Sequence, residues 1–172
     1  MLDRKIPPLA VDVDKVVVSE PSIHFLKNNI EVGCFNIGTQ DVVHVEFIFQ
    51  TGLSHHENSV VPRAISELIG VCSKNDSSGK IIEKIDYYGA YLETSVNMDI
   101  TTVSLYSLSE HVYKVLEILK DAFFQIVFNE KDLKVFLSNS AQKLKNDLER
   151  VKFHCLREFN RAIFGNHIYG KI

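Results

Sequence analysis

The amino-acid sequence predicts an α+β fold, with a largely antiparallel mixed sheet and the helices on one face. Several short runs alternate apolar and polar residues, which is typical of strands with one buried face. Later runs repeat apolar residues at three- and four-residue steps, which is typical of helices. The predicted order is strands, two helices, a hairpin and two helices. Segregated elements of this kind favour a helical layer packed on one sheet.

The strand predictions follow from alternation and turn residues. Between residues 42 and 50, Val43, Val45 and Phe47 alternate with His44 and Glu46, so one face of this strand is expected to lie on a core. Strands are predicted at 23–26, 30–37, 42–50, 90–97 and 101–108, with a hairpin turn at 97–99 between the last two.

The helix predictions follow from apolar stripes and terminal residues. Ser59 and Ser109 are placed as N-caps, and Gly89 and Gly165 as C-terminal stops. Helices are predicted over 59–72, about 81–88, 109–124 and, as one long helix opened by Asn129, over 129–165.

The composition bounds the protein class. The 172 residues suit one domain with a proper core, and a net charge of −3 argues against a general nucleic-acid binder. Cys34, Cys72 and Cys155 stand apart, which excludes zinc ribbons and thioredoxin-like motifs. No signal-like core or apolar run long enough for a bilayer is seen, so we predict a cytoplasmic protein without membrane contact. Residues 1–21 are predicted to form an arm and residues 22–172 the domain.

Three segments carry a family resemblance. Ile85–Leu92 resembles a helix-to-strand junction, and Tyr106–Ser109 with Val115–Leu119 resembles a hairpin end and the next helix. Phe164–Lys171 resembles a signature of phenylalanine, glycine, histidine, proline and glycine-arginine. In order and spacing they resemble the N-terminal half-domain of the pitrilysin/insulinase (inverzincin) family of zinc metallopeptidases, over about Ile23 to Lys171.

The resemblance implies where the family's chemistry would lie. Its members carry H-x-x-E-H on the first helix, two histidines for zinc and a glutamate base, with a distal glutamate ligand downstream. Carried over without gaps, Arg63 and Glu67 stand at the two histidines, Ser66 at the base, and Lys143 at or beside the distal ligand, next to Gln142. Arg63 and Lys143 are cations, and one carboxylate does not hold zinc. We therefore predict no catalytic residue, no bound metal and no cofactor.

Two local alternatives stay open. Arg63 and Glu67 stand one helical turn apart, where either an ion pair or two separately solvated charges fits. His55, His56 and Glu57 form the strongest rival metal cluster, in a loop. We interpret them as a polar rim, because no further Cys or His lies at a recognisable spacing.

The resemblance implies a function of the non-peptidase kind. The leading hypothesis is a catalytically inactive, peptidase-like protein that is a peptide-binding or scaffold partner of a zinc-bearing homologous subunit or second half-domain. The alternative is a zinc-dependent metalloendopeptidase whose ligands lie elsewhere or in a C-terminal part absent from this chain. A structural assembly subunit is a third hypothesis. The chain is expected to be a fragment of a longer two-half protein, with an uncovered apolar surface near Leu148 to Ile163.

Overall fold

The computed structural model describes residues 19–69 and 79–171 and divides the chain into two compact units, 1–40 and 41–172. The described part of the first unit is an antiparallel hairpin of β1 (Ser22–Phe25) and β2 (Glu31–Cys34). Its turn includes Asn29 at a φ of 62°, a left-handed conformation that asparagine tolerates. The predicted arm lies outside the described residues except for residues 19–21.

The second unit contains a three-stranded antiparallel sheet. Its strands are β3 (Val42–Phe49), β4 (Tyr91–Val96) and β5 (Thr101–Leu108), in the spatial order β3-β5-β4. In this register Val45 and Leu92 both stand opposite Leu105. The α+β prediction is confirmed.

The expectation of one mixed sheet needs correction, because the five strands divide between two sheets. Every strand pairing in the described ranges is antiparallel, and β1 and β2 pair only with each other there. Neither hairpin strand has a buried residue, whereas β5 is buried along most of its length.

The second unit also contains five helices in the described ranges: α1 (Val60–Leu68), α2 (Lys80–Tyr87), α3 (Val112–Phe124), α4 (Glu130–Leu148) and α5 (Val151–Phe164). The predicted long helix is therefore two helices. Arg150 adopts an extended conformation between them, and its N–H donates to the Asp147 carbonyl at 3.0 Å. The apolar periodicity continues across this break, so it could not reveal the interruption. No helix in the described ranges combines the length and apolar character that a membrane span needs.

Of the predicted N-caps, Asn129 is confirmed, Ser59 is confirmed in position only, and Ser109 is wrong. Ser59 is the N-cap residue of α1 but its side chain makes no capping hydrogen bond, and the N–H of Val60 donates to the Asn58 side chain at 3.0 Å instead. The first turn of α3 follows His111 rather than Ser109 and has no side-chain cap. Asn129 caps α4 as predicted, accepting from the Lys131 N–H at 2.8 Å. α1 is shorter than predicted, and Cys72 lies outside the described residues.

The core lies between the sheet and helices α2 and α3. Ile81 and Ile85 from α2, Leu105 from β5, and Val115 and Leu119 from α3 are each 1% exposed or less. Burying each such side chain stabilises the fold by roughly 1.5–3 kcal/mol. Partly buried residues of β3 and β4 pack against the same cluster. The predicted helical layer on one sheet face is therefore confirmed for α2 and α3.

Candidate functional site

The substituted motif lies on α1, which packs against both β4 and α4. Pro62, Ala64, Ser66 and Leu68 are buried. Successive residues of a helix are about 100° apart, so these four define two buried flanks rather than one stripe. Val61 and Ile65, although apolar, lie off these flanks and are 43% and 40% exposed. α1 is held between two neighbours because small residues let both approach it.

Arg63 and Glu67 lie on one exposed strip of α1, between its two buried flanks. Among the described residues they form no ion pair, since none of the salt bridges there involves either side chain. Of the two open possibilities, the structure therefore has two separately solvated charges. Ser66, which the resemblance places at the family's base, is 4% exposed and belongs to a packed flank. A buried serine hydroxyl has no basic character at neutral pH.

Lys143 lies on α4, the helix that contacts α1. Its side chain is exposed, and no described hydrogen bond or ion pair joins it to Arg63, Ser66 or Glu67. The fold thus brings the helices of the four positions side by side without bonding their side chains to one another. The proximity of the four side chains themselves stays a prediction.

The donor set of these positions does not fit zinc. A catalytic zinc needs three protein ligands with free lone pairs at about 2.0–2.2 Å and an open position for water. Arg63 and Lys143 are protonated cations, and only Glu67 offers a suitable oxygen. Over the described ranges no group of three His, Cys, Asp or Glu side chains is arranged to hold a metal ion. We derive no reaction step through zinc from these residues.

The His55-His56-Glu57 loop is occupied by local contacts. Leu53–His55 forms a short 3-10 helix, and Nδ1 of His55 accepts a hydrogen bond from the Gly52 N–H at 3.1 Å. This acceptor role leaves the proton of the neutral ring on Nε2. His56 is half-buried and Glu57 is exposed. The arrangement agrees with a polar rim.

A second cluster joins this loop to two distant segments, and the sequence did not predict it. The Asp99 carboxylate, in the β4–β5 turn, accepts from the Ser54 hydroxyl at 3.1 Å and also from the Tyr169 hydroxyl. The hydrogen bond to Asp99 raises the pKa of Tyr169, because it stabilises the neutral phenol. The turn at Asp99 and the signature around Tyr169 were both recognised in the sequence. Nothing in their spacing showed that they meet.

Backbone contacts reinforce the same junction. The Leu53 and Ser54 N–H groups donate to the Asn97 and Met98 carbonyls at 3.0 and 2.8 Å. A Cβ at Gly52 would lie 2.5 Å from the Met98 carbonyl oxygen, so only glycine fits there. The loop before α1 is therefore held against the end of β4.

β4 is an edge strand of its sheet and packs beside α1. Its described backbone partners lie on β5 alone, which leaves the other edge without a strand partner in the described ranges. An edge strand presents unpaired N–H and C=O groups that can accept another extended chain. The helix that carries Arg63, Ser66 and Glu67 therefore lies beside a strand edge that has no strand partner among the described residues.

Comparisons with known proteins find one matching family model and solved structures of similar fold. The family model for insulinase (peptidase family M16) matches residues 65–167. A structure from Pseudomonas fluorescens described as a peptidase M16 inactive domain superposes with a TM-score of 0.81 at 15% identity, over 88% of this chain. A protease from Helicobacter pylori superposes with a TM-score of 0.79 at 16% identity, over 90% of this chain. The present chain spans 38% of each of those chains. No curated protein sequence matches it.

Proposed function

Because the chain belongs to the insulinase family, peptidase family M16, we propose that it is a catalytically inactive peptidase-like domain. In this proposal it binds unstructured peptide or is a scaffold, as partner of a zinc-bearing homologous subunit or second half-domain in the cytoplasm. The observation that carries the proposal is the donor chemistry of α1 and α4. In the register carried over from the family, Arg63 and Lys143 take the positions of zinc ligands, and both would repel a dication.

The loss of the base supports the same conclusion independently of the metal. General-base catalysis contributes roughly 10²–10⁴ in rate, and Ser66 is both non-basic and packed into a flank of α1. A rearrangement that exposed Ser66 would still supply no proton acceptor. The fold shared with a protein described as an inactive domain agrees with this proposal.

The free edge of β4 supports the peptide-binding part of the proposal. A peptide added there would make backbone hydrogen bonds that do not depend on its sequence. Since α1 packs beside β4, the peptide would pass the substituted motif without meeting a catalytic group.

Zinc retention and peptide cleavage test the proposal. The purified chain, given excess zinc, is expected to retain no stoichiometric ion and to show no chelator-sensitive cleavage of unstructured peptides. A restored variant combines Arg63→His, Ser66→Glu, Glu67→His and Lys143→Glu, and is expected to bind zinc. Its matched control makes the same four exchanges at exposed helical positions that have no histidine one turn away, as Arg161→His, Ser138→Glu, Glu83→His and Lys145→Glu.

The outcomes separate the hypotheses. Zinc retained by the restored variant but not by the control supports the carried-over register. Tight zinc binding by the unmodified chain would overturn the proposal in favour of a zinc-dependent metalloendopeptidase, and alanine substitution of His55 and His56 would show whether the loop holds the ion.

A structural assembly role is a second candidate, favoured by the surface of α4 and α5. Neither helix has a buried residue. The predicted uncovered surface is confirmed, since Leu156, Phe159 and Ile163 are 53%, 60% and 57% exposed. Large exposed apolar patches mark interfaces. Sedimentation of the unmodified chain and of Phe159→Gln tests this role, which predicts weaker association of the variant; equal, fully monomeric behaviour of both at high concentration contradicts it.

A further inference from the structure

The face of the three-stranded sheet opposite the core has an unusual composition. Val45 and Leu105 face the core. Because successive side chains of a strand point to opposite faces, the residues before and after each of them face away from the core. Two cross-strand rows follow from the register. The aromatic row is His44, Tyr106 and Tyr91, and the acidic row is Glu46, Ser104 and Glu93.

The aromatic row forms a platform across all three strands. The rings of His44 and Tyr106 stack in parallel with centroids 4.2 Å apart, and the rings of Tyr106 and Tyr91 lie 6.2 Å apart. Tyr91, on the edge strand, is 57% exposed. A cation held within about 6 Å of such a ring is attracted by its electron-rich face.

The acidic row lies two residues further along each strand, about 6.6 Å from the aromatic row. Glu46 and Glu93 are exposed and take part in none of the ion pairs of the described residues. Neither row contains a Lys or Arg. The face therefore has negative charge beside open rings and no cation of its own.

We propose that a peptide bound at the β4 edge is selected for a Lys or Arg side chain, which lies across the Tyr91 ring and pairs with Glu93. The inference rests on the proposed peptide-binding function and deepens it. An added strand lies about 4.8 Å from β4, and alternate side chains of it fall on the same face as Tyr91 and Glu93. These two residues are i and i+2 on one strand, so one long cationic side chain reaches both.

Charge complementarity decides the class of occupant. A cross-strand opposite-charge pair and an exposed cation–π contact together favour a basic peptide by roughly 3- to 30-fold over a neutral one. An acidic peptide is disfavoured by Glu93 and by Glu46 beyond it. Nucleic acid is disfavoured for the same reason.

Fluorescence anisotropy with matched peptides tests the inference on the full chain. The probes are a short labelled Thr-Val peptide with one central Arg and the same peptide with Gln there. The Arg peptide is expected to bind roughly 3- to 30-fold tighter. Glu93→Gln should reduce the difference and leave the Gln peptide unaffected, and Glu93→Gln combined with Tyr91→Leu should remove it. Tyr91→Leu should reduce the difference while Tyr91→Phe retains it. Glu83→Gln, an exposed carboxylate on α2, is the matched control and should change nothing.

Each outcome decides a claim. Equal binding of both peptides overturns the inference and leaves the peptide-binding proposal standing. An Arg preference that survives both Glu93→Gln and Tyr91→Leu lies elsewhere and also overturns it. No binding of either peptide overturns the peptide-binding proposal and the inference together.

Discussion

Two helical regions of the second unit have similar apolar patterns, but the apolar side chains are buried in one and exposed in the other. In the α2–α3 layer, Ile85 and Leu119 are each 1% exposed. In the α4–α5 pair, Leu156 and Ile163 lie on comparable stripes and are more than half exposed. The pattern that predicts a helix is therefore the same whether or not this chain supplies a surface to cover it.

The two helical regions also differ in what stabilises them. The α2–α3 layer removes apolar area from water within the chain, which stabilises the folded state directly. The α4–α5 pair depends on its helical hydrogen bonds, on the Asn129 cap and on packing of α4 against α1. Covering it in a partner would add the missing burial.

The largest test of this comparison is the same substitution in both regions. Ile85→Ala is expected to lower the free energy of unfolding by roughly 2–5 kcal/mol, because it leaves a cavity in the core. Ile163→Ala, the matched control on α5, is expected to change it by about 0.5 kcal/mol or less. Chemical denaturation followed by circular dichroism measures both. Similar losses would show that the exposed stripe is covered in solution.

A second test concerns the junction at Gly52. Gly52→Ala is expected to cost roughly 1–3 kcal/mol, because the new Cβ would meet the Met98 and Asn97 carbonyls at 2.5 and 2.6 Å. Gly33→Ala is the control, since the nearest atom to its Cβ is 3.7 Å away. Thermal unfolding is expected to show a loss of stability for Gly52→Ala and none for Gly33→Ala. An unchanged stability of Gly52→Ala would show that the loop is not held against the end of β4.

A third, smaller effect concerns how the end of the chain after α5 is attached to the sheet. The Tyr169 hydroxyl donates to Asp99 and the pKa of Tyr169 is raised, so the folded value lies above the unfolded value of about 10. The resulting stability is fully present below pH ~10 and is lost as pH rises through the folded pKa. Tyr169→Phe should be less stable than wild type at neutral pH, with a difference that shrinks above pH ~10. Melting curves across pH check this, and a pH-independent difference would contradict it.

The smallest expected effect is at the substituted motif. A double-mutant cycle of Arg63→Ala and Glu67→Ala should give a coupling below about 0.2 kcal/mol, since no ion pair joins them. The same cycle at Glu130 and Lys134, which pair at 3.4 Å with the same spacing, should give about 0.3–0.5 kcal/mol. A larger coupling at Arg63 and Glu67 would mean that they pair across the substituted site.

Sequence and structure agree most closely where one local rule decides the outcome. Alternation located β3 and β5, and Asn129 capped α4 as its residue type predicts. Local rules failed where two of them competed. Ser59 takes the N-cap position of α1, yet the side chain that accepts a hydrogen bond from the first turn is that of Asn58.

By itself the sequence determined the fold class and the family, and it predicts the loss of the zinc donors, because the side-chain chemistry at Arg63, Ser66 and Lys143 is the same in any conformation. Only the tertiary structure decided that the strands divide into two sheets, that the long helix breaks at Arg150 and that Asp99 meets Ser54 and Tyr169. It also decided which apolar stripe is buried and that Tyr91 and Glu93 share an open edge face. These features depend on contacts between residues far apart in the chain. A periodic pattern indicates that an element has an apolar face, but it does not show which other element packs against that face.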